Sequence, residues 1–256
     1  MPWWQKIRDT TDKKMTKLSI NLNKIALLRN QRNIGIPNVL QAAKTVIKAG
    51  AYGITVHPRP DERHIKYSDV YELADIMTVE FNIEGNPFLG KYMPIVSQIK
   101  PNQATLVPDA PDAGTSDHGW NLQAERERLA PIVKELKALG IRVSLFMDPD
   151  VNGIKMAREL GADRVELYTE PYAKAFRTDE GVDEMLEQYA RAAHAAQEAG
   201  LGVNAGHDLN LNNLGKFLDV VPGVLEVSIG HALIAEALEM GLLNTVKEYL
   251  KILPGD

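Results

Sequence analysis

At 256 residues, with 45% hydrophobic and 25% charged side chains, the chain has the make-up of a globular protein large enough to bury an extensive core. It has no cysteine, which excludes disulfides, thiolate metal ligands and cysteine nucleophiles, and its formal charge of −5 argues against a general nucleic-acid binder. No run approaches the roughly 20 apolar residues of a membrane helix, and the opening MPWWQKIRDTTDKKM lacks the apolar centre of a signal peptide, so a cytoplasmic protein with no membrane partner is expected.

Residues 1–16, with the Trp3–Trp4 pair and mixed charge, read as a peripheral extension, and residues 17–256 as one domain. From there short β-rich runs alternate with longer amphipathic stretches. LSINL (18–22) is the first strand candidate, followed by the helical pattern PNVLQAAKTVIKAG. GITVH (53–57) precedes SDVYELADIMT, EFNIE (80–84) precedes PFLGKYMPIVSQIK, and QATLV (103–107) precedes AERERLAPIVKELKALG. RVSLFM (142–147), DRVELY (163–168), LGVNA (201–205) and LEVSI (225–229) complete the strands. Their helical patterns are DVNGIKMARELGA, VDEMLEQYARAAHAAQEAG, LNNLGKFLDVV and HALIAEALEMGLLNTVKEYLKIL. Gly50, Gly140, Gly161 and Gly200 stand where left-handed helix C-caps belong.

Eight strand–helix units imply parallel pairing with right-handed crossovers, and their regular spacing favours a (β/α)₈ TIM barrel with additional helices. A doubly wound open sheet is the alternative, disfavoured because no G-x-G-x-x-G loop follows an early strand. The longest irregular stretch, PDAPDAGTSDHGWN (108–121), lies where a lid would sit.

In such a barrel the chemistry lies at the C-terminal strand ends. Asn21, Asn23, Lys24, Arg29 and Arg32 follow the first strand; His57, Arg59, Arg63 and His64 follow the second. Glu84 ends the third, Asn204 and His207 follow the seventh, and Gly230–His231 follow the eighth. Singly, each has a bland explanation: a hydrogen-bonded structural histidine, a helix-capping glutamate, solvated arginines. Their convergence at strand ends is what argues for a site. Histidines beside a carboxylate suit multistep proton transfer such as imine formation, dehydration or aldol-type closure. Arg32, Arg59, Arg63 and His64 suit phosphate, and a helix beginning near His231 would present free N–H groups to it. Zinc or iron is the rival occupant of the same residues. The absence of an H-x-H pair and the density of arginine argue against it, so no metal is expected.

NLNKIALLRNQR, GITVHPRPDERHI, FNIEGNP, TLVPDAPDAGTSDHGW, RVSLFMDPD, ELYTEPYA, VNAGHDLN and EVSIGHALI resemble the successive motifs of the pyridoxine 5′-phosphate synthase family, from about Lys17 to Leu253. The resemblance implies a TIM-barrel transferase of vitamin B6 biosynthesis, assembled as a homo-octamer (a tetramer of dimers) and using no metal or organic cofactor. It implies condensation of 1-deoxy-D-xylulose 5-phosphate with 3-amino-2-oxopropyl phosphate to pyridoxine 5′-phosphate, inorganic phosphate and water. Carried across, His57 matches the proton acceptor, Glu84 the acid/base carboxylate and His207 the proton donor. Asn21, Arg32, Gly230 and His231 match contacts to the amino-ketone phosphate; Arg59, His64 and Thr115 match contacts to the ketose phosphate. Three places depart from the family pattern. Asn23–Lys24 replaces an Asp-His pair, Asp208 replaces the glycine after the donor histidine, and Asn33 replaces the glycine after Arg32. The departures at Asn23, Lys24 and Asp208 leave a second reading: a non-catalytic or altered-specificity paralogue that binds a phosphorylated ligand.

Overall fold

The computed structural model describes residues 15–110 and 113–253, so most of the expected N-terminal extension lies outside the described residues. Thr16, within that expected extension, is buried and donates its hydroxyl to the Val224 carbonyl at 2.8 Å, tying the start of the barrel to its last strand. The strands are β1 (Lys17–Asn21), β2 (Gly53–Val56), β3 (Glu80–Gly85), β4 (Gln103–Leu106), β5 (Arg142–Met147), β6 (Arg164–Tyr168), β7 (Gly202–Gly206) and β8 (Val224–Ile229). All pair in parallel with their sequence neighbours, and β8 returns to β1, closing a TIM barrel and excluding the open sheet.

Each strand alternates, which decides what faces where. Ile20, Ile54, Ile83, Leu106, Leu145 and Leu167 belong to the buried core shared with the helices. The residues between them are polar and face the lumen. Ser19 Oγ lies 2.7 Å from Thr55 Oγ1, and Thr105 Oγ1 donates to Asn82 Oδ1 at 3.0 Å. Asn204 Nδ2 reaches Gln103 Oε1 at 3.4 Å, a bond between β7 and β4 that only the barrel interior permits. At the N-terminal end Arg142 bonds Glu80 and Gln103, while Arg164 bonds Asn204 and Glu226, which closes the floor. Polar side chains, linked by these hydrogen bonds except at Ser144 and Glu166, occupy this lumen in place of the branched aliphatic layers usual in such barrels.

Among the described residues the helices are α1 (Asn23–Asn30), α2 (Val39–Ala49), α3 (Tyr67–Ile76), α4 (Tyr92–Ile99), α5 (Leu122–Ala138) and α6 (Val151–Glu159). They continue with α7 (Glu170–Thr178), α8 (Val182–Glu198), α9 (Leu214–Val220), α10 (His231–Met240) and α11 (Leu242–Ile252). The expected capping glycines all take positive φ, from 76° at Gly200 to 107° at Gly50. α1 and α7 are additional to the periodic pattern. α1 has no side-chain N-cap and starts directly at a strand exit; α7 is short and carries a proline in its first turn. The last pattern divides in two at Gly241, φ 78°. α4 begins at Tyr92 rather than Pro87, because Gly90 before it takes φ 56°, outside the right-handed helical region, and Tyr92 donates its hydroxyl to Ile83 O at 2.9 Å. Its ring passes so close to Gly85 that a Cβ there would sit 2.3 Å from it. No helix among the described residues is long and apolar enough to cross a membrane.

Candidate active site

The C-terminal mouth is organised from β1 outwards. Asn21, the last residue of β1, donates Nδ2 to Glu84 Oε2 at 3.1 Å, and its Oδ1 accepts the Asn23 N–H at 3.0 Å. Asn23 Oδ1 in turn accepts the His57 N–H at 2.9 Å. Four predicted site residues on three strand exits thus form one hydrogen-bonded line: Glu84, Asn21, Asn23, His57. Asn23 needs no acidity for this duty; its amide oxygen suffices.

Glu84 and His57 are 3% and 6% exposed, and burial moves them in opposite directions. Burial, with the like charge of Asp109 behind it, pushes the Glu84 carboxyl up to about 8, against which the Asn21 hydrogen bond acts. Burial holds His57 well below the usual imidazole range, helped by His64, Arg59, His207 and Arg63. His64, its ring 5.9 Å from that of His57, is lowered to about 4 by burial, Arg59 and Lys24. Its Nδ1 accepts the Ile65 N–H at 2.9 Å, which leaves Nε2 as the protonated ring nitrogen of the neutral form.

Arg59 enters a buried ion pair, its Nη1 2.8 Å from Asp109 Oδ2, with both side chains 3% exposed. Its second Nη donates to Ala110 O at 2.9 Å, and Ser116 donates to the same Asp109 oxygen at 2.8 Å. Arg59 Nε and Asp109 Oδ1 are buried without a hydrogen-bond partner among the described residues. Arg63 pairs with Asp61 and donates to Ala113 O, and Arg29 pairs with Asp69 and donates to His64 O, so these arginines frame the exit loop of β2.

His207 follows β7 with φ 80°, and Asp208 with φ 60°; both are left-handed without being glycine. The imidazole lies 4.9 Å from the Phe146 ring and 5.5 Å edge-on to Tyr168. Burial lowers its pKa to about 4, Lys24 adds to the lowering, and Asp208 opposes it. Opposite, Gly230 precedes α10 and approaches Asn21 so closely that a Cβ would lie 3.1 Å from the Asn21 Cβ. The helix N-terminus thus opens beside Asn21, as expected of an anion site.

The geometry therefore brings together Asn21, Asn23, Glu84, His57, Arg59 and His64, and places Lys24 and Asp208 within electrostatic reach of His207. Arg32, Thr115 and His231 are solvent-exposed on their loops and helix start, without a hydrogen bond to the rest of the set. Two residues escaped the sequence reading. Asp109 ties Arg59 to the exit of β4 and raises Glu84. Glu166, 1% exposed in the lumen, has both carboxyl oxygens unpartnered among the described residues; burial, Glu84 and Glu226 all raise its pKa. Gly206 accommodates it, since a Cβ there would lie 2.5 Å from Glu166 Oε1. Among the described residues no three His, Asp or Glu side chains are grouped to hold a metal ion.

Near neutral pH this mouth presents the protonated Glu84 carboxyl and the neutral imidazoles of His57, His64 and His207, beside Lys24 and the ion-paired guanidinium groups of Arg59 and Arg63. It can donate and accept protons at once beside an anionic ligand.

Solved structures with similar folds include the monomers of dimeric phosphoribosylanthranilate isomerase from Thermotoga maritima, at TM-score 0.55 and 15% identity over 93% of this chain and 98% of that one. These share the barrel alone. Curated relatives are much nearer in sequence. A pyridoxine 5′-phosphate synthase of Christiangramia forsetii is 53% identical over 93% of this chain and all of its own. One of Albidiferax ferrireducens is 54% identical over 92% of this chain and 96% of its own, and one of Porphyromonas gingivalis 51% over 92% and 98%. The family profile described as "Pyridoxal phosphate biosynthesis protein PdxJ" matches residues 18–254, and the chain belongs to that family.

Proposed function

We propose that this chain is a pyridoxine 5′-phosphate synthase, condensing 1-deoxy-D-xylulose 5-phosphate with 3-amino-2-oxopropyl phosphate to pyridoxine 5′-phosphate, phosphate and water. The observation that carries the reading is the opposed poise of Glu84, protonated at neutral pH, and His57, held neutral and joined to it through Asn21 and Asn23. Imine formation and ring closure each expel water. Glu84 supplies the proton to a departing hydroxyl and is thereafter a base. His57 accepts the substrate proton. His207, neutral when the substrates arrive, donates through its ring N–H or after first taking up a proton.

Arg59, His64 and Thr115 take the ketose phosphate, with Lys24 adding positive charge. Asn21, Arg32, Gly230 and His231 take the amino-ketone phosphate at the start of α10, and the Asp208 backbone closes that side. Asn23 acts by holding His57 rather than as a base. A homo-octameric assembly, a tetramer of dimers, fits the surface. Leu28, Ile34 and Ile36 are 52%, 53% and 63% exposed around Arg32, and Leu238 on α10, which packs on α1, is 79% exposed. A cytoplasmic location suits two phosphorylated substrates. Purified protein given both substrates forms pyridoxine 5′-phosphate, detected by mass, and omission of either abolishes it. Absence of product with both present contradicts the assignment.

A further inference from the structure

Left-handed backbone at two consecutive residues that are not glycine persists only where the surroundings over-determine it. At His207 and Asp208 the fixing contacts are few and traceable. Thr169, fully buried directly after β6, has its hydroxyl 2.6 Å from both the Gly206 and His207 carbonyl oxygens. Its backbone N–H donates to Gly206 O at 2.9 Å. Further along, Asn213, also fully buried, donates Nδ2 to Asp208 O at 3.1 Å and accepts the Asn210 N–H at 2.8 Å. Among the described residues no group hydrogen-bonds the His207 ring, so its direction follows from its backbone and from the Phe146 and Tyr168 rings beside it.

We propose that Thr169 is a positioning residue for His207: its hydroxyl, shared between the Gly206 and His207 carbonyls, holds the turn that delivers the imidazole between Phe146 and Tyr168. The inference rests on the reading of His207 as a proton-transfer group. A hydroxyl has one proton, so one hydrogen serves two acceptors, and replacing it by a methyl leaves both carbonyls buried without that donor. Displacement of a reacting group by about 1 Å lowers a rate by as much as about 10²-fold.

Thr169→Val keeps the shape and removes the donor, whereas Thr169→Ser keeps the donor; should the valine variant fail to fold, Thr169→Ala carries the same comparison. Two readouts separate positioning from plain stability. The first is steady-state kinetics: the valine variant loses about 10-fold or more in kcat with KM within about threefold, and serine restores kcat to within about threefold of wild type. The second is the His207 imidazole titration followed by NMR, which needs no turnover. It moves up towards the ordinary histidine value in the valine variant and stays low with serine. A wild-type protein without turnover sinks the synthase reading while the titration still tests Thr169. Wild-type kcat, an unmoved His207 titration, or a serine variant as impaired as valine each overturns the proposal.

Discussion

Replacing Glu84 by Gln separates what this carboxyl does for the reaction from what it does to the fold. Glu84 is 3% exposed and titrates at about 8 instead of the usual 4.5. Its folded pKa lies above its unfolded one, so the sign is fixed. Below about pH 4.5 both states hold the proton and the residue is neutral in its effect. Between that value and about 8 only the unfolded chain releases it, and the fold loses about 1.4 kcal/mol per pH unit. Above about 8 the loss is constant, at about 5 kcal/mol. Gln stays neutral throughout and its Oε1 still accepts from Asn21; any unsatisfied amide hydrogen costs about 1–2 kcal/mol at every pH alike. Guanidinium unfolding of both proteins, at one protein concentration and in steps from about pH 5.5 to 9, gives the difference directly. The variant gains on wild type by about 1.4 kcal/mol per pH unit up to about pH 7.5, then levels off, while its turnover drops by about 10²-fold or more. A stability difference that does not change with pH refutes the raised carboxyl.

Two further outcomes follow from the same geometry. His57→Asn lowers kcat by about 10²-fold or more with ligand binding largely kept, measured by steady-state kinetics beside equilibrium binding of inorganic phosphate; wild-type turnover removes His57 from the reaction. Asp109→Asn removes the like charge beside Glu84 and leaves Arg59 unneutralised, and both changes favour the ionised Glu84. The limb of the pH–rate profile near pH 8 therefore moves to lower pH, and a limb that stays in place contradicts the part given to Asp109.

The strands were legible because each run is short and β-rich, and four of them follow a glycine-ended helix: Gly50 before β2, Gly140 before β5, Gly161 before β6 and Gly200 before β7. α1 and α7 were not, because NKIALLRN has no cap and EPYAKAFRT is a short added piece rather than part of the repeating unit. Strand-end placement pointed to His57, Glu84 and His207, and the structure places all three at or directly after the C-terminal ends of their strands. Placement could not find residues defined by contacts across strands: Asp109 pairs with Arg59, and Thr169 donates to the carbonyls of Gly206, which ends β7, and of His207 just beyond it. Glu166 carried an overlooked signal, an acidic residue in the lumen-facing register of RVELY, where Arg164 precedes it and Tyr168 follows. Asn23 and Lys24, which looked like losses relative to the family pattern, have physical duties here: one holds the His57 backbone, and the other adds positive charge near His64 and His207.

The central claim is synthase chemistry run by a protonated Glu84 with neutral histidines, and the pH dependence of product formation tests it most directly. With both phosphorylated substrates, wild-type protein should form pyridoxine 5′-phosphate, release one phosphate per product, and lose rate as pH rises through about 8. No product anywhere between about pH 6 and 9, or a rate that passes through pH 8 unchanged, contradicts it.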